Sequence, residues 1–408
     1  MTRRLTLFFA AACGLIVANL YFAQPIAADM GADLGMSPAT VGLLVTFTQI
    51  GYATGLLFLA PLGDGIENRR LVSACLAASS AALIGLALAP TAATALAFAA
   101  LVGVFCASAQ IIVPFAASLA SETTRGQVVG DVMSGLMVGI MLSRPAASAH
   151  AHWFGWRSVF LASGLVMATL SAVFFMAAPR RAPKAELSYG AAMRSLVRLL
   201  RETPALRWRM GAQAPLFAAF SLFWTAVPLA LTSPAFGLTQ QGVALFALIG
   251  AGGAVMAPIV GRTKGPPRPL MGAAILSGAL AFALAFLGVA LRSLLLLAAA
   301  AIVLDMAVSA NLILSQRLLF SLGETARSRL NALFIASFFC GGAVGSALST
   351  ASYAWGGWPA ACAAGAGFAL LALASFLAEG RGAARNAWRP QEIGEEAGDA
   401  AGDGGGLS

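Results

Sequence analysis

The chain has 408 residues, 59% of them hydrophobic and only 10% charged, with a formal net charge of +9. Its mean hydropathy is +0.85, and a soluble domain of this size cannot hide that much apolar surface from water, so the composition excludes a water-soluble protein and asks for a lipid solvent. The positive charge would suggest nucleic acid on a soluble domain, but 22 of the 25 Lys and Arg are spread over the N-terminus, alternate loops with the helix end at Arg317, a central linker and the tail, a topology signal that leaves no nucleic-acid face.

Apolar runs predict transmembrane helices near 5–29, 39–62, 71–89, 92–119, 128–150, 158–178, 210–231, 241–261, 270–290, 294–320, 330–351 and 358–378. The first, behind Arg3 and Arg4, has the look of a secretory leader, but eleven more follow and it reads as a retained span. Only Arg157 and Arg292 fall in loops of the other side, and Arg144 falls inside span 5, so both termini are placed in the cytoplasm. All five cysteines lie in apolar runs and are expected as core residues without disulfides. The domains are then a six-helix bundle over 1–178, a cytoplasmic linker over 179–209, a second six-helix bundle over 210–378 and a disordered tail over 379–408. Within the linker, "SYGAAMRSLVRLLRETP" alternates apolar and basic residues at helical spacing and predicts an amphipathic helix on the anionic inner leaflet.

The two halves repeat. "SETTRGQ" at 121 matches "GETARSR" at 323, "WFGW" at 153 matches "WGGW" at 355, "NLYF" at 19 matches "SLFW" at 221, and "LGMS" at 34 matches "FGLT" at 236, always with an offset of 202 residues. Each pair falls on one side of the membrane, so the repeats run parallel, about an axis along the membrane normal, a known transporter design with its site at mid-membrane. On these features the chain resembles the major facilitator superfamily across all twelve spans, most closely its bacterial efflux-permease and drug–proton antiporter branch. The loop "PLGDGIENRR" after span 2 resembles that family's G-x-L-x-D-R-x-G-R-R signature through Leu62, Asp64 and Arg69, with Ala60, Gly65 and Glu67 departing from it. The resemblance implies an all-α polytopic fold of two six-helix bundles in the bacterial inner membrane. Asp64, Arg69, Arg70, Glu122, Arg125, Glu324 and Arg327 lie at cytoplasmic helix ends, where charges can bond in one conformation and part in the other; they are the expected cytoplasmic gate, against a reading as solvated topology charges.

The resemblance further implies that spans 1, 4, 7 and 10 line a central cavity. Asn19, Tyr21, Gln24, Gln110, Gln213, Trp224, Asn311 and Gln316 are polar or amphipathic residues on those spans and form the expected substrate cavity; each could equally be glue between helices. Pro25 allows a bend beside the first three. Asp305, near the middle of span 10, is too costly to leave ionised and unpaired, so it must take up a proton or find a cation; it and Arg144 are the expected proton-coupling residues, with direct pairing between them left open. Gly51 and Gly55, Gly135 and Gly139, and Gly341 and Gly345 mark close helix approaches. His150 and His152 have no acid or thiol beside them and predict no metal site. No phosphate-binding loop is present, and two edge histidines offer an enzyme little. The expected function is proton-coupled efflux of small neutral or weakly charged, partly apolar organic molecules by alternating access, acting as a monomer in the bilayer with protons as coupling ion and no cofactor. Uptake of a sugar, nucleoside or small metabolite is the alternative, ahead of a channel or a transport-inactive sensor.

Overall fold

A computed structural model describes residues 2–180, 189–249, 260, 267–322 and 327–387, without the side chains of Asp64, Arg327, Ser328 and 381–387. Lipid offers no partner to backbone N–H and C=O groups, so each span closes its bonds within a helix. Among the described residues nine apolar helical runs are long enough to cross a bilayer, and the last holds two spans, broken at Gly356 and Gly357. Span 2 is the shorter helix Leu43–Phe58, and span 8 starts with Gln240–Ala247 and leaves the described residues after 249.

The stretch from Asn19 to Phe22 breaks span 1 into two helices, Arg3–Ala18 and Ala23–Asp33. Pro25 has no N–H to give the Tyr21 carbonyl, so an unbroken ladder would lose a bond there. Instead the chain tightens, Leu20 N–H to the Val17 carbonyl and Tyr21 N–H to the Ala18 carbonyl, both 3.1 Å. Span 4 is divided similarly into Ala92–Cys106 and Ala109–Leu119, whereas span 7 stays one helix, Pro204–Thr232, despite Pro215 and Pro228.

The repeat is written into the backbone. Gly35 and Gly237 have φ of 66° and 61°, and Gly155 and Gly357 have 78° and 65°; both pairs sit 202 residues apart. A side chain is strained at each, which is why glycine occupies the turns after spans 1 and 7 and between spans 5 and 6 and spans 11 and 12. Thr91 and Ser293, also equivalent, cap spans 4 and 10 by accepting from Thr94 and Leu296 N–H. With ψ of 160°, Gly155 occupies a region all but reserved for glycine, so Gly155→Ala is expected to cost about 1–3 kcal/mol. Melting of the detergent-solubilised protein checks this: it should fall well below that of an alanine introduced at the exposed, helical Gly130.

The two halves meet most tightly on the face opposite the termini. There the Gly42 N–H donates to Thr350 Oγ1 at 3.0 Å, Thr46 Oγ1 pairs with Ser346 Oγ at 2.8 Å, and Thr350 Oγ1 donates to the Ala39 carbonyl at 2.9 Å. A Cβ on Gly42 would lie 2.3 Å from the Ser346 carbonyl oxygen, so spans 2 and 11 touch backbone to backbone. Deeper along the seam Gln49 Nε2 donates to Ser221 Oγ at 2.9 Å, and the Tyr52 ring meets Phe339 edge-on at 4.4 Å. Spans 5 and 8 pack together as well, and Gln240 Nε2 donates to Asp29 Oδ2 at 2.9 Å.

Three expectations change. The linker helix, Tyr189–Glu202, forms, but Ala192 and Leu196 are buried on the protein, Met193, Leu199 and Leu200 pack against its core, and Tyr189 Oη donates to the Phe58 carbonyl at 3.1 Å. Part of its apolar stripe therefore packs on the bundles, while Tyr189 and Val197 stay exposed. Span 12 runs on as helix to Ala387, past the expected start of the tail, and 388–408 lie outside the described residues. All five cysteines are free as expected, yet Cys340 is exposed rather than buried, on the outward face of span 11 with Val344 and Leu348.

Candidate functional site

The polar residues of the lining spans divide into two groups. Some make their bonds inside one bundle, although Asn311 Oδ1 is left without a partner. Asn19 Nδ2 donates to the Leu15 carbonyl, which the break in span 1 leaves without its backbone partner, at 2.9 Å, and to the Ile16 carbonyl at 3.1 Å, and Asn19 Oδ1 accepts from Ser163 Oγ of span 6 at 2.6 Å. Asn311 donates to Gln213, which donates in turn to the Val308 carbonyl at 3.4 Å, joining spans 7 and 10. Gln110 Nε2 donates to Tyr52 Oη at 3.2 Å, and Gln316 Nε2 donates to Asn331 Oδ1 at 2.9 Å.

Tyr21, Gln24, Arg144, Trp224 and Asp305 instead converge at the boundary between the halves. Each is at most 4% exposed. The break in span 1 turns Tyr21 and Gln24 toward span 5, where Arg144 Nε donates to Gln24 Oε1 at 2.8 Å. The Arg144 guanidinium carbon lies 5.0 Å from the Tyr21 ring centroid, 5.3 Å from Phe220 and 4.6 Å from Trp224. A desolvated cation over an aromatic face gains about 2 kcal/mol, which helps an arginine survive here. Trp224 Nε1 donates to Asp305 Oδ1 at 2.8 Å. A line thus runs from Gln24 through Arg144 of the first half to Trp224 and Asp305 of the second. No direct ion pair joins Arg144 to Asp305 within 4.0 Å; the indole stands between them. Arg144 Nη2 and Gln24 Nε2 are buried without a hydrogen-bond partner.

By the register of the repeat, Arg144 corresponds to Ser346 and Asp305 to Gly103, so the acid and the base each occur once in the molecule. No group of three or more potential metal ligands exists among the described residues. Phe220, the third ring around Arg144, was not foreseen; it lies four residues before Trp224, one helical turn away, a spacing the sequence does carry. The seam residues Gly42, Thr46 and Gln49 likewise follow a helical stripe with Ser346 and Thr350 opposite, and that spacing was the missed signal.

At the termini face, Glu67, a departure from the signature, pairs with Arg69 at 3.3 Å and Arg70 at 3.0 Å, and Arg69 lies over the Phe175 ring at 4.8 Å. These bonds stay within the first half. Glu122 and Arg125 are exposed, with no ion pair among the described residues. The side chains of Asp64 and Arg327, and all of Glu324, lie outside the described residues.

Known proteins point the same way. Residues 7–320 match the profile of the Major Facilitator Superfamily. The chain is 35% identical over 364 residues to the "Uncharacterized transporter YgaY" of Escherichia coli O157:H7, covering 89% of this chain and 92% of that one. It is 32% identical over 370 residues to the "Probable transporter SCO4007" of Streptomyces coelicolor, covering 88% and 84%. Among solved structures it resembles a bacterial homologue of the lysosomal transporter Spinster in an inward-facing and occupied conformation, with TM-score 0.71, 16% identity and coverage of 95% and 98%. It also resembles the nucleoside transporter NupG, with TM-score 0.72, 15% identity and coverage of 92% and 99%. Twelve-span architecture, an internal parallel repeat, a buried charged cluster at the boundary of the halves and these matches have one meaning: the chain is a transporter belonging to the Major Facilitator Superfamily.

Proposed function

We propose that this transporter is a proton-coupled carrier which, as a monomer, exports small neutral or weakly charged, partly apolar organic molecules by alternating access. The observation that carries the reading is the line from Arg144 through Trp224 to Asp305. A buried base and a buried acid, on opposite halves and bridged by one side chain, form a contact that rocking of the halves would make and break, so the charge state of Asp305 can bias which state is favoured. Tyr21, Gln24 and Trp224 are then substrate contacts, while Asn19, Gln110, Gln213, Asn311 and Gln316 serve by holding spans 1, 4, 7 and 10 in place. The distribution of Lys and Arg supports termini in the cytoplasm of a bacterial inner membrane, an orientation in which the sealed face is periplasmic. Asp64, Arg69, Arg70, Glu122, Arg125, Glu324 and Arg327 would then close the cytoplasmic face in the opposite state.

A second reading, uptake of substrate together with a proton, is favoured by one observation: Arg144 has no carboxylate within 4.0 Å. A substrate on Arg144 and a proton on Asp305 would not exclude one another. Proteoliposomes with an imposed pH gradient and an internal pH dye decide among these readings. Substrate moving against the proton flow supports export, and substrate moving with it supports uptake. An ohmic current with no counterflow would make the protein a channel and end the carrier reading.

A further inference from the structure

We propose that Arg144 and Gln24 form an oxyanion subsite for the carboxylate of a small organic acid whose apolar body lies among Tyr21, Phe220 and Trp224. The inference rests on the carrier reading for its purpose but on separate observations for its chemistry.

The guanidinium carries its Nε–H and one Nη2–H on the same edge, the edge that matches a carboxylate. In Arg144 the Nε–H is taken by Gln24 Oε1 at 2.8 Å, while Nη2 beside it has no partner. Gln24 Nε2, bonded to the carbon that carries Oε1, has none either. Two buried donors therefore flank one hydrogen bond and no acceptor serves them. Buried donors are costly to leave unmade, and an acceptor oxygen reaching both would serve the two at once.

Charge narrows the ligand further. Arg144 is a permanent cation, and the acid of this cluster, Asp305, is held across the indole by Trp224. A single negative charge balances Arg144. A doubly charged phosphate would bring excess charge into a site that is 3% exposed at Arg144 and that has Asp305 close by. The three rings around the guanidinium ask for an apolar or aromatic body, not a sugar. A neutral amide offers an acceptor oxygen but no charge, and should bind less well.

The test uses the full chain in lipid nanodiscs, with phenylacetate, its neutral isostere phenylacetamide, and inorganic phosphate as probes. Binding is read by calorimetry and by Trp fluorescence. Phenylacetate should bind saturably and at least about tenfold more tightly than phenylacetamide, since hydrogen bonds to an ionised group are about twice as strong as neutral ones; phosphate should not bind. Gln24→Glu supplies Arg144 with an internal carboxylate, and should abolish phenylacetate binding while the protein still elutes as a folded species. Arg144→Lys keeps the charge but loses the fork, and should weaken binding at least about tenfold. Equal binding of acid and amide, no binding of either, or undiminished binding by Gln24→Glu overturns the subsite. If phenylacetate binds as expected but vesicles show no counterflow of any substrate, the carrier reading fails and the subsite stands. If a proton gradient drives a substrate yet phenylacetate does not bind, the subsite fails alone.

Discussion

Replacing Asp305 by Asn is expected to abolish proton-driven transport, lowering accumulation under a pH gradient to that of empty liposomes, while substrate exchange without a gradient survives. Asn keeps an oxygen where Trp224 Nε1 donates at 2.8 Å, so the packing of spans 7 and 10 is retained and only the exchangeable proton is lost. Trp224→Phe is the informative partner. It keeps an aromatic ring near Arg144 but strips Asp305 of its donor, leaving a buried carboxyl short of a bond at a cost of about 1–3 kcal/mol. If the central line couples proton to substrate, Asp305→Asn uncouples without unfolding, whereas Trp224→Phe impairs both melting and coupling. Accumulation by Asp305→Asn that still tracks the pH gradient would remove this residue from the mechanism.

The second large effect concerns the sealed face. Gly42→Leu introduces a side chain where even a Cβ would meet the Ser346 carbonyl at 2.3 Å. Both close neighbours belong to helices, and overpacking of this kind costs about 1–3 kcal/mol. Only the state in which spans 2 and 11 touch there bears that cost. The ratio of open to closed at this face should therefore rise about 5- to 150-fold. Spin labels on Ser37 and Trp355, both exposed on this side, in a Cys340→Ser background, would report the separation as a longer distance population. An unchanged distance distribution with retained stability would show that the seam does not open during the cycle.

How far such residues could be foreseen depended on the physics behind each. Lipid thickness sets span length, and the backbone has no alternative to helix, so the spans and the internal repeat were plain. The glycine pairs at 35 and 237 and at 155 and 357 were visible as letters before their shared positive φ gave the reason for them. Which polar residues meet was not visible. Gln213 and Trp224 are eleven residues apart, on nearly the same face of span 7, but separated by about 16 Å along the axis. Depth therefore decides that Gln213 bonds Asn311 inside its bundle while Trp224 reaches the boundary. Asn19 was lost to local capping because the break after Ala18 left the Leu15 carbonyl for its amide to serve, and the site of a break within an apolar run has no signature beyond the later proline. At the termini face the family signature drew attention to Asp64, while Glu67, one of its departures, is the acid that holds Arg69 and Arg70.

The repeat that builds this molecule is faithful in its turns and unfaithful at its centre, where Ser346 answers Arg144 and Gly103 answers Asp305. Doubling the first half would give two cations and no acid across the dyad, and doubling the second would give two acids and no cation. Loss of likeness at these two positions is what gives the bundle a polarity from one half to the other, so neither half, doubled, could stand in for the whole.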